Sequence, residues 1–429
     1  MTSTLLKFPR LNAPKLHRLA NGLTIVVEQM PVEAVNLSLW VKVGSAVESD
    51  AINGMAHFLE HMIFKGTQRL ASGEFERRIE ERGAITNAAT SQDYTNYYIT
   101  AAPKDFAELA PLQIDVLVNA SIADDAFERE RFVVLEEIRR SEDSPQRRNF
   151  ARTMEMAFAK LPYRRPVLGP EAVISQLQPQ QMRDFHQTWY QPQSITAVAV
   201  GNLPEEELVE IIAESFIQAN KNQQPAINNQ QSTINPELPF TEIIRQEFID
   251  DSLQQTRLVM VWRVPGLKDL EETYALDVLT SILGHGRTSR LVWDLREEQR
   301  LVTSISASNI TQELQGIFYI SAQCTEENVP IVEKAIAQHI RELQTELVKE
   351  SEIERIRKRV ANRYIFGNET PSERAGLYGY YQSLVGDLEP AFNYPREIQS
   401  LEAVDLMRAA KKYLSPDAYG VVVMKPAVI

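Results

Sequence analysis

The chain has 429 residues, of which 44% are hydrophobic and 24% are charged, and its formal net charge at pH 7 is −13. This length is sufficient for two or three domains, each with its own hydrophobic core. The negative charge argues against nucleic acid or an anionic membrane surface as a partner. Cys324 is the only cysteine, which excludes an intramolecular disulfide and a thiolate-rich metal site and favours a reducing compartment.

The sequence shows neither a signal-peptide pattern nor a membrane-spanning run. The first residues contain no apolar core before Pro9, and no apolar run approaches the roughly 18 residues that a membrane helix needs. We therefore expect a soluble, cytoplasmic protein with no membrane partner. A mature chain that had lost a targeting segment would have the same features.

The most informative stretch lies between Gly54 and Gly66, where residues 57–61 read HFLEH. Positions i and i+4 of a helix share one face, so the imidazoles of His57 and His61 can point at one metal ion. Glu60 lies beside them and could act on a metal-bound water without being a ligand. The order H-x-x-E-H is the inverted form of the zinc-binding H-E-x-x-H helix, so the spacing predicts two ligands and a base.

The elements that follow predict an α+β fold. Residues 84–90 and 94–100 have the pattern of two strands, with a hairpin turn at residues 92–93. Helical patterns follow at residues 104–119 and 124–142. Strands in neighbouring pairs between long amphipathic helices indicate a largely antiparallel sheet packed with helices.

A catalytic zinc needs a third protein ligand and one open position for water. The other histidines have no motif around them, so a carboxylate is favoured as the third ligand. The helical pattern at residues 124–142 contains several glutamates, and Glu130 and Glu137 are seven residues apart on one face. This pattern alone leaves open whether Glu136 or Glu137 is the ligand.

A polar stretch at residues 218–239 predicts a linker between an N-terminal domain, residues 1–217, and a C-terminal domain, residues 240–429. Three patterns recur in both halves at offsets of about 221 to 224 residues. We therefore predict two homologous domains. The matching pairs are residues 37–44 and 258–265, residues 177–192 and 401–416, and residues 195–200 and 419–424.

Taken together, these motifs resemble the pitrilysin family of inverted-motif zinc peptidases, which includes insulin-degrading enzyme and the mitochondrial processing peptidases. The resemblance rests on residues 57–67, on residues 83–98 and on the glutamates of residues 130–137. Residues 161–169 and 286–296 extend it over nearly the whole chain. The length is most similar to the processing-peptidase-like bacterial branch.

The resemblance implies that His57, His61 and Glu137 bind Zn²⁺ and that Glu60 is the general base. It also implies that a glutamate seven residues before the carboxylate ligand lies in the site, and Glu130 stands at that position. We assign Glu130 the role of orienting a ligand imidazole, which metal sites commonly require.

The resemblance further implies that the substrate is an extended peptide, added as a strand to the sheet edge that follows the metal helix. The matching residues are Thr86, Asn87, Ala88, Ala89 and Thr90. Their small side chains would let the peptide backbone approach closely. The alternative reading of this segment is an ordinary half-buried strand.

The second half has no H-x-x-E-H motif, and residues 277–283 at the corresponding position cannot bind zinc. In the family, an arginine and a tyrosine seven residues later reach across a chamber to the substrate. Arg296 matches the arginine, but Thr303 stands at the tyrosine position, and threonine is too short to replace a phenol. Arg296 could equally be a surface residue.

The resemblance implies a four-domain chamber, of which this chain forms half of the clamshell. Because loss of one oxyanion donor commonly costs about a hundredfold or more in rate, we expect a heterodimer with a homologous subunit that supplies an intact Arg/Tyr pair. A homodimer with a weakened clamp is the alternative.

The predicted function is hydrolysis of extended or unstructured peptides by a zinc-dependent endopeptidase, in processing or in peptide degradation. The alternative is a non-catalytic, processing-peptidase-like scaffold subunit of a larger complex. Such subunits usually lose metal ligands, whereas this chain keeps the full set.

Overall fold

The computed structural model describes residues 13–219 and 234–427. Its first sheet has six strands, which are antiparallel to their neighbours except for one parallel pair, β2 with β6. In chain order they are β1 (Lys15–Arg18), β2 (Thr24–Gln29), β3 (Val35–Val41), β4 (Ile85–Thr90), β5 (Thr95–Ala101) and β6 (Ile195–Gly201). Their order across the sheet is β1-β2-β6-β3-β5-β4, so β4 is an edge strand.

Eight helices belong to the described part of the first half. They are α1 (Met55–Ile63), α2 (Glu74–Glu81), α3 (Pro103–Val118), α4 (Asp124–Glu142), α5 (Pro145–Ala157), α6 (Glu171–Ile174), α7 (Pro179–Trp189) and α8 (Glu205–Ala219). The predicted hairpin is confirmed as β4 and β5, and the two helical patterns that follow it are confirmed as α3 and α4.

The second sheet has five strands in the order β7-β11-β8-β10-β9, with one parallel pair, β7 with β11. The strands are β7 (Ile244–Ile249), β8 (Thr256–Pro265), β9 (Val302–Ile310), β10 (Gln315–Cys324) and β11 (Gly420–Lys425). Its helices are α9 (Leu270–Gly284), α10 (Val329–Thr345), α11 (Glu350–Phe366), α12 (Pro371–Leu384), α13 (Glu389–Ser400) and α14 (Ala403–Tyr413). A π-helical segment, Val292–Glu298, precedes β9.

The two sheets repeat one arrangement. Strand β3 lies between β6 and β5, and β8 lies between β11 and β10, each with antiparallel pairing. The predicted α+β class, with two similar domains built on mainly antiparallel sheets, is therefore confirmed. No helix in the two described ranges is both long and apolar enough to cross a membrane.

Each half also contributes one helix to the sheet of the other half. Helix α12 packs Ala375 and Tyr378 against Trp40 and Val198 of the first sheet. Because both faces of β3 and β6 are thereby covered, these strands are buried at every residue and lack an alternating pattern.

Helix α5 of the first half packs Met154 and Met156 against Val261 and Val422 of the second sheet. The division of the chain at residues 218–239 stays a prediction. Only residues 218–219 and 234–239 of that stretch are described, and residues 218–219 are the end of α8.

A buried ion pair stabilises the packing of α12 on the first sheet. Glu28 of β2 is fully buried and accepts hydrogen bonds from Arg374 and from the Tyr378 hydroxyl, the latter at 2.7 Å. Both donors come from α12. A buried carboxylate needs such partners, because an unpaired buried charge is strongly destabilising.

Candidate metal centre

A glycine precedes helix α1 at a point where two backbone segments approach closely. Gly54 precedes the helix with φ +96°, and a Cβ there would come within 2.6 Å of the Leu168 carbonyl oxygen. Phe58 of the helix stacks on Phe127 of α4 with ring centroids 4.5 Å apart. The stacked rings bring α1 into contact with α4, the other helix that carries a predicted metal ligand.

Glu48, which the sequence analysis missed, caps the start of α1. Its carboxylate accepts hydrogen bonds from the Ala56 N–H at 2.7 Å, the Gly54 N–H at 2.8 Å and the Asn53 side-chain amide at 2.9 Å. Burial raises the pKa of Glu48 to about 7, while these bonds and Arg165 oppose the rise. A carboxylate at this place satisfies backbone donors that the helix itself leaves unpaired.

We expect Glu48→Ala to destabilise the zinc-free protein by about 1 to 3 kcal/mol, because it leaves buried N–H groups without an acceptor. Zinc affinity should fall as well, since His57 lies in the first turn of the helix. Urea unfolding and zinc titration measure the two effects. Glu48→Gln keeps one acceptor oxygen and should lose less stability and less zinc affinity than Glu48→Ala. Wild-type stability for Glu48→Ala would show that the cap does not hold α1.

The structure brings His57, His61 and Glu137 together. The Nε2 atoms of both histidines lie 3.5 Å from Oε2 of Glu137, and one ligand atom of each residue lies within 4.8 Å of the others. These three form the one group with such spacing in residues 13–219 and 234–427.

The donor set of this cluster fits zinc. Two imidazole nitrogens and one carboxylate oxygen are a known catalytic set, and the ligand atoms of a tetrahedral zinc are about 3.4 Å apart. Burial and the neighbouring His61 lower the pKa of His57, which favours the neutral ring that a metal ligand needs. Nδ1 of His57 is buried without a hydrogen-bond partner among the described residues.

The structure separates the two glutamates that the sequence left open. Glu137 faces the histidines, whereas Glu136 is exposed and pairs with Arg140 on the same helix at 3.3 Å. The hydrogen bond with His61 and the charges of both histidines hold the pKa of Glu137 below its usual range. Burial acts in the opposite direction, but its effect is smaller.

Glu130 lies behind His61 and is buried. Its Oε1 is 2.9 Å from Nδ1 of His61, and its Oε2 is 2.9 Å from Nζ of Lys65. Burial lowers the pKa of His61, but the bonds with Glu130 and Glu137 outweigh it and raise that pKa to about 9. This is the placement that the predicted orienting role of Glu130 requires.

Glu60 is half-buried on α1 and faces β4. Its Oε2 accepts a hydrogen bond from the Thr90 hydroxyl at 2.5 Å. Burial raises the pKa of Glu60, while the bond from Thr90 and the charge of His61 oppose the rise. Glu60 is not part of the ligand group, which leaves its carboxylate available for proton transfer.

The predicted substrate segment is the edge strand β4. Thr86 donates its hydroxyl to the Tyr98 carbonyl at 3.2 Å, towards the neighbouring strand. The N–H of Ala88 is bonded instead by the adjacent Asn87 side chain at 2.9 Å, and Asn87 and Ala89 are exposed. Because β4 is the last strand of its sheet, its outer side has no strand partner among the described residues.

Arg296 does not reach this cluster within the described chain. It lies in the π-helical segment and bonds to Glu297, with Nη2 at 2.6 Å from Oε1. Thr303 is exposed on β9 and donates to the Gln255 side chain at 2.7 Å. A role for Arg296 in catalysis stays a prediction.

Comparison with known proteins decides the family. Residues 24–171 match the family model described as insulinase (peptidase family M16), and residues 176–360 match the model of the M16 peptidase inactive domain. The chain belongs to peptidase family M16. The predicted resemblance to the pitrilysin family is thereby confirmed. His57, His61 and Glu137 all lie within the first of the two matched segments.

M16 relatives with similar sequences are named as zinc proteases. An uncharacterized zinc protease of Streptomyces coelicolor is 30% identical over 72% of this chain and 68% of its own length. The zinc protease PqqE of Helicobacter pylori is 26% identical over 95% of this chain and 92% of its own length. This member of family M16 thus stands among proteins named for zinc-dependent proteolysis.

Solved M16 structures have the same fold. A protease from Helicobacter pylori, 25% identical, has a TM-score of 0.90 and covers 98% of this chain and 100% of its own. An M16 inactive-domain peptidase of Pseudomonas fluorescens, 20% identical, has a TM-score of 0.84 over 97% of this chain and 98% of its own. This chain therefore shares its overall fold with both structures.

Proposed function

We propose that this chain is a zinc-dependent endopeptidase that hydrolyses extended or unstructured peptides. The observation that carries the proposal is the cluster of His57, His61 and Glu137. On the same helix as the histidines, Glu60 carries a carboxylate outside this cluster that is bonded to Thr90 of the edge strand β4. Zinc bound there would polarise the scissile carbonyl and lower the pKa of a water molecule toward 7.

The residues of the chain supply the rest of the chemistry. Glu60 takes the proton of the attacking water and returns it to the leaving amine. Glu130 keeps the His61 ring oriented through Nδ1, so that Nε2 stays directed at Glu137. The peptide carbonyl carbon receives the water oxygen, and the C–N bond breaks as the amine is protonated.

The edge strand β4 would hold the peptide through main-chain hydrogen bonds. The Ala88 N–H donates to the adjacent Asn87 side chain, and a substrate carbonyl could replace that side chain as its acceptor. Main-chain hydrogen bonds of this type discriminate little between substrate side chains. Substrates should therefore be selected by their ability to extend rather than by a sequence motif.

A homologous partner subunit is part of the proposal. Thr303 is engaged with Gln255, and Arg296 with Glu297, so this chain offers no Arg/Tyr pair to the substrate carbonyl. A heterodimer with a subunit that has the pair would complete the chamber, and a homodimer is the alternative. We also propose a cytoplasmic location, supported by Cys324, which is buried as a free thiol.

The test is zinc analysis and peptide cleavage on the purified chain, alone and mixed with homologous candidate subunits. We expect about one zinc per chain, cleavage of an unstructured fluorogenic peptide that a chelator abolishes, and a strong increase in rate with the right partner. A chain that binds no zinc and cleaves nothing with any partner would instead be the scaffold subunit.

A further inference from the structure

The carboxylate of Glu60 is hydrogen-bonded by one residue, Thr90. The hydroxyl of Thr90 donates to Oε2 of Glu60 at 2.5 Å. Among the described residues, no other residue makes a hydrogen bond to this side chain. Thr90 is the last residue of β4, so the base is bonded to the strand that would hold the peptide.

Thr90 is itself fixed by contacts that do not involve Glu60. It pairs with Thr95 of β5, and Thr95 is fully buried and donates to the Val43 carbonyl at 2.8 Å. The next residue, Ser91, bonds through its N–H to the Tyr94 carbonyl at 2.8 Å. The end of β4 is thus a rigid point from which a side chain can be oriented.

We propose that Thr90 is a positioning residue for the proposed peptidase reaction, on which this inference rests. Its hydroxyl holds Oε2 of Glu60, so that Oε1 is left to take the proton from the attacking water. A free glutamate side chain rotates about several bonds, and a misplaced general base loses much of its effect. Because Thr90 ends β4, the same residue sets the base in register with a peptide bound along that strand.

A purely structural role for Thr90 makes a different prediction. If the threonine only ties β4 to α1 by packing, valine should replace it well, because the two side chains have nearly the same shape. If the hydroxyl positions Glu60, Thr90→Val should lower turnover and Thr90→Ser should keep most of it. The pair of variants therefore separates the two roles.

The experiment uses the zinc-loaded protein with its partner, if one is required for turnover. Thr90→Val should lower kcat roughly tenfold, with KM changed by less than about twofold and zinc content unchanged. Thr90→Ser should restore most of kcat. The matched control is Thr256→Val on β8, which removes a buried threonine hydroxyl that has no partner among the described residues and should leave kcat unchanged.

A second readout is independent of turnover. Crystal structures should show Glu60 in one conformation in wild type and Thr90→Ser, and in several conformations in Thr90→Val. An unchanged kcat for Thr90→Val, or equal losses in the valine and serine variants, would overturn the inference. A wild-type protein that binds zinc but cleaves no peptide would refute the proposed function, while the conformation of Glu60 would still decide the role of Thr90.

Discussion

Glu60→Gln is expected to bind zinc like the wild type and to lose at least about a hundredfold in kcat. Glutamine has the shape of glutamate and can still accept the hydrogen bond that Thr90 donates to Glu60. It cannot take a proton from the attacking water. Since Glu60 is outside the ligand group, the metal should be retained.

Metal analysis and initial rates on one protein preparation measure both parts of this result. Glu136→Gln is the matched control, because Glu136 is an exposed glutamate of α4 that pairs with Arg140 and does not face the histidines. It should have wild-type turnover. Full peptidase activity in zinc-loaded Glu60→Gln would contradict the assignment of the base.

The second large effect is expected from Glu137→Gln, which should lower zinc affinity by at least about a hundredfold and abolish turnover at limiting zinc. Glu137 is the carboxylate to which both histidine Nε2 atoms are directed, each at 3.5 Å. A neutral amide oxygen replaces a charged ligand atom, so the attraction for Zn²⁺ falls.

Helix α4 allows the same substitution to be compared at three positions. Glu130→Gln should cost about 10- to 100-fold in zinc affinity, because Glu130 orients His61 without being a ligand. Glu136→Gln should cost nothing. Competition with a chromogenic chelator gives the order of the three affinities. A larger loss for Glu130→Gln or Glu136→Gln than for Glu137→Gln would refute the proposed ligand set.

The sequence predicted the relative placement of His57 and His61, because helical spacing depends on neighbouring residues only. His57 and His61 share a face of α1 whatever that helix packs against. The choice between Glu136 and Glu137 could not be made from spacing, since adjacent helical residues point in different directions. The orientation of α4 relative to α1 decides which of the two faces the histidines.

Glu48 and Thr90 show the limit of sequence reasoning more clearly. Glu48 precedes α1 by several residues and has no capping motif, so its contact with the Ala56 N–H depends on how the loop folds back. The bond between Thr90 and Glu60 spans thirty positions. Neither contact leaves a periodic signal in the sequence.

The exchange of α5 and α12 between the two halves was also beyond the sequence. An amphipathic pattern indicates that a helix buries one face, but not which sheet covers it. This exchange also links the two halves physically, because Tyr378 of α12 donates a hydrogen bond to Glu28 of the first sheet. The half that carries His57, His61 and Glu137 and the half that carries Arg296 are therefore expected to move as one body.

The claim that His57, His61 and Glu137 hold one zinc is tested most directly by crystallography with anomalous data collected above and below the zinc edge. We expect a single strong peak within about 2.2 Å of both histidine Nε2 atoms and a Glu137 carboxylate oxygen. A zinc-supplemented crystal with no peak there, or with zinc held by Glu136 or Glu130 instead, would contradict it.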